Sequence, residues 1–272
     1  MSIARIEKRF ADLTQAGRAG FAPYIVAGDP DAETAWRMLE ALPAAGADLI
    51  ELGLPFSDPM ADGAAVQKGA VRALAAGMTT AGVLDLARRF RDGDAMTPLV
   101  LMGYYNPILA FGLAAFAEAA AAAGVDGLIM VDLPPEESAP LQAALAAADI
   151  ALIRLAAPTI DEGRLKAIAA GASGFVYLIA VTGVTGGKEA DPAAAAPLVA
   201  RVRAACSLPV VVGFGIRTSE RAAEVARIAD AAVVGSALVE EITDAIALKR
   251  DPAPKVLARV AAMAQAVREA RI

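Results

Sequence analysis

Residues 48–56 read DLIELGLPF, an apolar run that stops at Gly53 and Pro55. A run so short, rich in Leu and Ile and closed by Gly and Pro, marks a strand covered on both faces, as strands of parallel sheets are. Seven other stretches share the form: APYIVAG at 22–28, PLVLMGYY at 98–105, DGLIMVDLP at 126–134, IALIRLAAP at 150–158, SGFVYLIAV at 173–181, PVVVGFGI at 209–216 and ADAAVVGSA at 229–237. Between them lie stretches such as AETAWRMLEALPAAG, TTAGVLDLARRFRDG and SERAAEVARIAD. Their apolar residues fall at i, i+3, i+4 and i+7, and several open on Asp, Thr or Ser in helix-capping positions. Eight strand–helix units with no break in composition predict an α/β fold, a (β/α)8 TIM barrel that spans residues 1–272 as a single domain. A doubly wound sheet would show fewer strands at this length and a glycine-rich turn after the first. Residues 2–16 form an extra helix ahead of the first strand, placed to plug the barrel floor.

Hydrophobic residues make up 57% of the 272, ample for a core that buries roughly three-quarters of the unfolded chain's surface. The net charge of −6 and the acidic balance argue against a nucleic-acid surface. The N-terminus carries charges every few residues and does not resemble a signal peptide, and Glu118, Gly124 and Asp126 break up the Ala-rich run at 110–130, so no membrane span is expected. A single cysteine, Cys206, rules out an internal disulfide and suits a reducing cytoplasm. With no histidine in the chain, a catalytic zinc site is improbable, and acid–base chemistry falls to a tuned Asp, Glu, Lys, Tyr or Cys.

Glu51 leads that group. Alternation along the second strand turns Ile50 and Leu52 toward the helices and Leu49, Glu51 and Gly53 toward the barrel interior. A carboxylate there costs several kcal/mol unless paired, and burial raises its pKa, which suits proton transfer better than packing. The alternative is a structural glutamate hydrogen-bonded to a tyrosine or an amide. Asp62 hangs on the following loop, where a plain turn residue is the competing reading, as it is for Asp58 in PFSDP. Tyr177 alternates inward on the sixth strand, as substrate contact or as core tyrosine. Tyr104, Tyr105 and Asn106 end the third strand at the same mouth, and Tyr24 on the first strand joins the substrate-binding candidates.

Barrel chemistry sits at the C-terminal ends of strands. Two loops there are long, after strands two and six. The second, around Thr182–Lys188, is no Walker A loop, since Glu189 follows Lys188, and it reads as a lid. Gly213, Phe214 and Gly215 after strand seven, and Gly235 and Ser236 after strand eight, each precede a helix. Glycine-exposed amides backed by helix N-termini make an anion cradle; tight turns with no ligand are the alternative.

The segment IELGLPFSDPMADG at 50–63 closely resembles the signature of the tryptophan synthase alpha subunit family. GDPD before it, and GYYNP, VDLPPEES, VTGVTG and GFGI after it, stand in the family's order along nearly the whole chain. The resemblance implies a lyase that cleaves indole-3-glycerol phosphate to indole and glyceraldehyde 3-phosphate. It implies Glu51 as general acid–base, Asp62 as the carboxylate that holds the indole N–H, and Tyr177 as the active-site tyrosine. It assigns Gly186, Phe214, Gly215, Gly235 and Ser236 to phosphate binding and Thr185 to a lid that closes onto Asp62. Val181 stands where some members carry an arginine just before the lid, which bears on how the lid is held. The resemblance further implies no cofactor or metal in this chain, and a beta-subunit partner carrying pyridoxal phosphate in an alpha2beta2 heterotetramer. Two other readings compete: a lysine-dependent phosphate-binding barrel such as an isomerase, which none of the chain's lysines suits, and a regulatory subunit without catalysis, which retention of both Glu51 and Asp62 opposes.

Overall fold

The computed structural model describes residues 3–179, 192–213 and 215–271. Thr185, Gly186 and Phe214, together with Val181 and the lid segment, lie outside the described residues. Eight strands pair in chain order: β1 (Gly20–Val26), β2 (Ile50–Gly53), β3 (Leu99–Gly103), β4 (Gly127–Met130), β5 (Ala151–Ala156), β6 (Val176–Ile179), β7 (Val210–Gly213) and β8 (Ala231–Val234). Every pairing is parallel, and β8 closes on β1. Parallel neighbours in register share a face, so Tyr24 beside Glu51, Glu51 beside Val100, and Leu155 beside Tyr177 all belong to one inward set.

The helices are richer than one per strand. Helix α1 (Ile3–Gln15) precedes the barrel and α2 (Ala32–Ala41) links β1 to β2. Two helices, α3 (Ala64–Ala75) and α4 (Thr80–Gly93), join β2 to β3, and two more, α5 (Tyr105–Phe111) and α6 (Leu113–Ala122), join β3 to β4. The breaks fall at Gly77 and Gly112, whose φ values of +87° and +92° no ordinary side chain adopts readily. The paired helices bend there by 96° and 93°. Helices α7 (Ala139–Ala147), α8 (Glu162–Ala170), α9 (Pro192–Ala205) and α10 (Ser219–Ile228) follow β4 to β7, and α11 (Ser236–Ala247) and α12 (Ala253–Glu269) follow β8. The expected caps are made: Asp31, Thr79, Asp161 and Thr218 each accept a hydrogen bond from an amide in the first turn of α2, α4, α8 and α10. Among the described residues no single helix is long and apolar enough to cross a membrane.

Helix α1 seals the lower end, as its position in the chain predicts. Ile6, Phe10 and Leu13 are buried, and the Phe10 ring lies 5.8 Å from that of Phe175. Arg5 pairs with Asp126, and Arg9 approaches Asp48 at 3.7 Å. Asp126 and Phe175 immediately precede β4 and β6, and Asp48 lies two residues before β2, so α1 packs on the N-terminal rim and leaves the other rim open.

Candidate active site

Glu51 sits mid-strand on β2 and is 3% exposed. Burial pushes its carboxyl up to about 8, and the nearby negative charge of Asp62 adds to the shift. Asp62 lies on the loop from β2 to α3, half-buried. Burial pushes it up to about 6, against the pull of a hydrogen bond from Tyr104. The Tyr104 hydroxyl donates to Asp62 Oδ2 at 3.1 Å and accepts the Ala61 amide at 3.0 Å. Gln67, on the first turns of α3, donates through Nε2 to the Asp62 carbonyl at 2.9 Å. Tyr104 and Gln67 thus hold the aspartate loop from two sides.

Tyr24 and Tyr177 are both buried, and their hydroxyls titrate well above the usual tyrosine range, first through burial and then through the two carboxylates nearby. Glycines at strand ends make room for them. A Cβ on Gly213 would collide with the Tyr177 hydroxyl, and one on Gly53 with the Tyr24 hydroxyl. At Gly235 a Cβ would stand 3.0 Å from Tyr24 Cδ1, so this glycine serves the tyrosine as well as any ligand. Alternation along the strands turns the tyrosines and both glycines inward, but it does not say that Gly53 and Gly213 seat the rings. A cavity of about 330 Å³ opens along β4, β5 and α8, lined by Val131, Leu155 and Ile179 together with Arg154 and Arg164, and none of Glu51, Asp62, Tyr24, Tyr104 and Tyr177 lines it.

At the β7–β8 side, Gly215 adopts φ +42°, the left-handed region that favours glycine. Helix α10 is closed by its own Thr218, whereas no side chain caps the first turn of α11, which starts at Ser236 directly after Gly235. The positive end of α11 therefore faces the mouth with amides available to an anion.

Not every candidate joins this cluster. Asp58 is exposed and accepts from Ser57 Oγ at 2.5 Å, a local turn contact. Of the three residues expected to line the mouth after β3, only Tyr104 reaches Asp62. The chain turns into α5 at Tyr105, which packs against the core, and Asn106 is exposed on that helix. Among the described residues no group of three or more acidic or Cys side chains is placed to hold a metal ion.

Comparison with known proteins gives a consistent match. A family model for the tryptophan synthase alpha chain covers residues 10–268. Over 271 residues the chain is 61% identical to the tryptophan synthase alpha chain of Phenylobacterium zucineum (strain HLK1), covering 100% of this chain and 98% of that one. It is 60% identical over 272 residues to that of Caulobacter sp. (strain K31), covering 100% and 99%. The crystal structure of tryptophan synthase subunit alpha from Legionella pneumophila str. Paris superposes with a TM-score of 0.90 at 39% identity, covering 97% of this chain and 98% of that one. A chain of Mycobacterium tuberculosis tryptophan synthase gives a TM-score of 0.88 at 36% identity, covering 97% and 98%.

Proposed function

The chain belongs to the tryptophan synthase alpha chain family, and from that premise we infer how its residues divide the work. It is a carbon–carbon lyase of tryptophan biosynthesis that cleaves indole-3-glycerol phosphate to indole and glyceraldehyde 3-phosphate. At neutral pH Glu51 carries a proton and Asp62 does not. Glu51 gives its proton to indole C3, which breaks the ring's aromaticity. Asp62 accepts the indole N–H and stabilises the positive charge that develops on that nitrogen. The C3–glycerol bond then breaks while the Glu51 carboxylate takes the proton of the adjacent glycerol hydroxyl, so the proton returns and the carbonyl forms. The observation that carries this reading is a buried carboxyl, inward on β2, facing a second carboxylate held by Tyr104.

Tyr24 and Tyr177, buried at the mouth beside the two carboxylates, would hold the indole ring. Gly215, Gly235 and Ser236, with Gly186 and Phe214, would take the phosphate through backbone amides, and Thr185 would close onto Asp62. Remote binding of the phosphate supplies orientation at the reacting carbon. The test is indole release by Glu51→Gln: loss of the proton-transfer role should lower the rate at least ~10²-fold with folding and glycerol-phosphate binding intact. Cleavage within tenfold of the parent rejects Glu51 as the acid–base. The lysine-dependent alternative finds no support, since among the described residues no strand carries a lysine.

The family pairs with a beta subunit, and we further propose that this chain does so as alpha2beta2. The mouth is rimmed by apolar side chains that water does not favour: Met60 is 76% exposed on the Asp62 loop, and Leu109 and Phe111 on α5 are 53% and 36% exposed. Docking through residues 55–67 and α5 would cover them. In this reading pyridoxal phosphate belongs to the partner, which consumes the indole, and this chain needs no cofactor. We place the reaction in the cytoplasm, the compartment that a lone cysteine suits.

A further inference from the structure

A cluster of charged side chains joins the two halves of the phosphate cradle, and the catalytic reading leaves it unused. Arg217, just beyond Gly215, clasps Glu240 on α11, with Nη1 to Oε2 at 2.5 Å and Nη2 to Oε1 at 2.8 Å. Arg259, on α12, reaches in two directions. Its Nη2 donates to the backbone carbonyl of Arg217, and its Nη1 pairs with Glu241 on α11. Glu241 is buried and also meets Lys255. Burial works to raise its carboxyl, but Lys255 and Arg259 outweigh that and hold it below its ordinary range, so it stays a charged anchor.

We propose that Arg259 is a positioning residue for the substrate phosphate: by gripping the Arg217 carbonyl and the Glu241 carboxylate together, it fixes the spacing between the Gly215 turn and the N-terminus of α11. The proposal rests on the reading of those two segments as the phosphate cradle. Amides that converge on one anion from two separate loops must keep their distance and direction, and Arg259 adds to the Arg217–Glu240 pair a second tie between the two segments, one that reaches the backbone itself. A planar guanidinium serves two acceptors in fixed geometry, which a lysine ammonium does not reproduce. Lys255 offers an internal control, because it pairs with the same glutamate, whereas only Arg259 of the two is bonded to the Arg217 loop.

The experiment compares Arg259→Gln, Arg259→Lys and Lys255→Gln in the full chain, by cleavage kinetics, calorimetry with glycerol phosphate, and thermal midpoint. Arg259→Gln should raise KM for indole-3-glycerol phosphate and Kd for glycerol phosphate about tenfold, with kcat within about threefold of the parent. Arg259→Lys, which keeps the charge but not the fork, should fall between parent and Gln variant and keeps the test alive if the Gln variant does not fold. Lys255→Gln should leave KM and Kd at the parent values even where its midpoint falls. Unchanged KM and Kd in both Arg259 variants, or an equal rise in Lys255→Gln, overturns the proposal. Gly215→Val separates the two levels: if it binds glycerol phosphate normally, the cradle reading fails and this proposal with it; if it loses binding while the Arg259 variants keep theirs, only the role of Arg259 fails.

Discussion

Burial pushes Glu51 up to about 8 and Asp62 up to about 6, so in the roles proposed for them the pair works only between those values. Below the lower one Asp62 gains a proton and can no longer stabilise the indole nitrogen; above the higher one Glu51 has no proton to give. The dependence of kcat/KM on pH should therefore be bell-shaped. The substrate's phosphate titrates near the acid limb, since phosphate monoesters have a second pKa of about 6, so the alkaline limb is the diagnostic one. Because the Asp62 charge helps raise Glu51, Asp62→Asn should move that limb in the residual activity to lower pH. An alkaline limb that stays in place would mean that Glu51 does not set it. Glu51 was legible in the sequence because a charge interrupts an apolar strand, and alternation gave its direction. The grip of Tyr104 on Asp62 was not, for it joins a strand end to a loop in another unit, and spacing along the chain says nothing about that meeting.

Elements were legible where their signals are local. Apolar runs fixed the strands, and Asp31, Thr79, Asp161 and Thr218 announced the helix starts they cap. The doubled helices after β2 and β3 were not seen, since a glycine inside a helical pattern marks a break only when its φ turns positive, as at Gly77 and Gly112. Nor did the strands show that their last glycines seat tyrosines from other strands. Gly213→Ala tests that fit. A methyl where the Tyr177 ring now lies forces strand or ring to move, and should cost about 1–3 kcal/mol of stability together with activity. Denaturant melts and cleavage rates would show it; a variant that matches the parent in both would mean that the ring moves aside freely.

The barrel as a whole followed from repetition, but its two ends differ in a way that only contacts reveal. At the open end, exposed Leu109 and Phe111 stand on α5, the helix that follows β3 directly after Tyr104. If a beta subunit docks there, Leu109→Glu with Phe111→Glu should weaken the complex at least tenfold, as a charge buried at an interface costs several kcal/mol, while the isolated chain cleaves at the parent rate. Light scattering of the mixed subunits, followed alongside indole release, reads both. A complex that forms as tightly as before would put the interface elsewhere. An interface stable enough to persist should bury more than ~1,000 Å² in total.

The sealed floor has a consequence for traffic. With Ile6, Phe10 and the Arg5–Asp126 pair closing the lower rim, the described residues leave the barrel open at the end that carries the carboxylates. On the proposed reading, substrate enters and both products leave at that end, away from the floor that α1 closes. Were a beta subunit seated there, as proposed, a departing apolar product would meet the partner before it met bulk water.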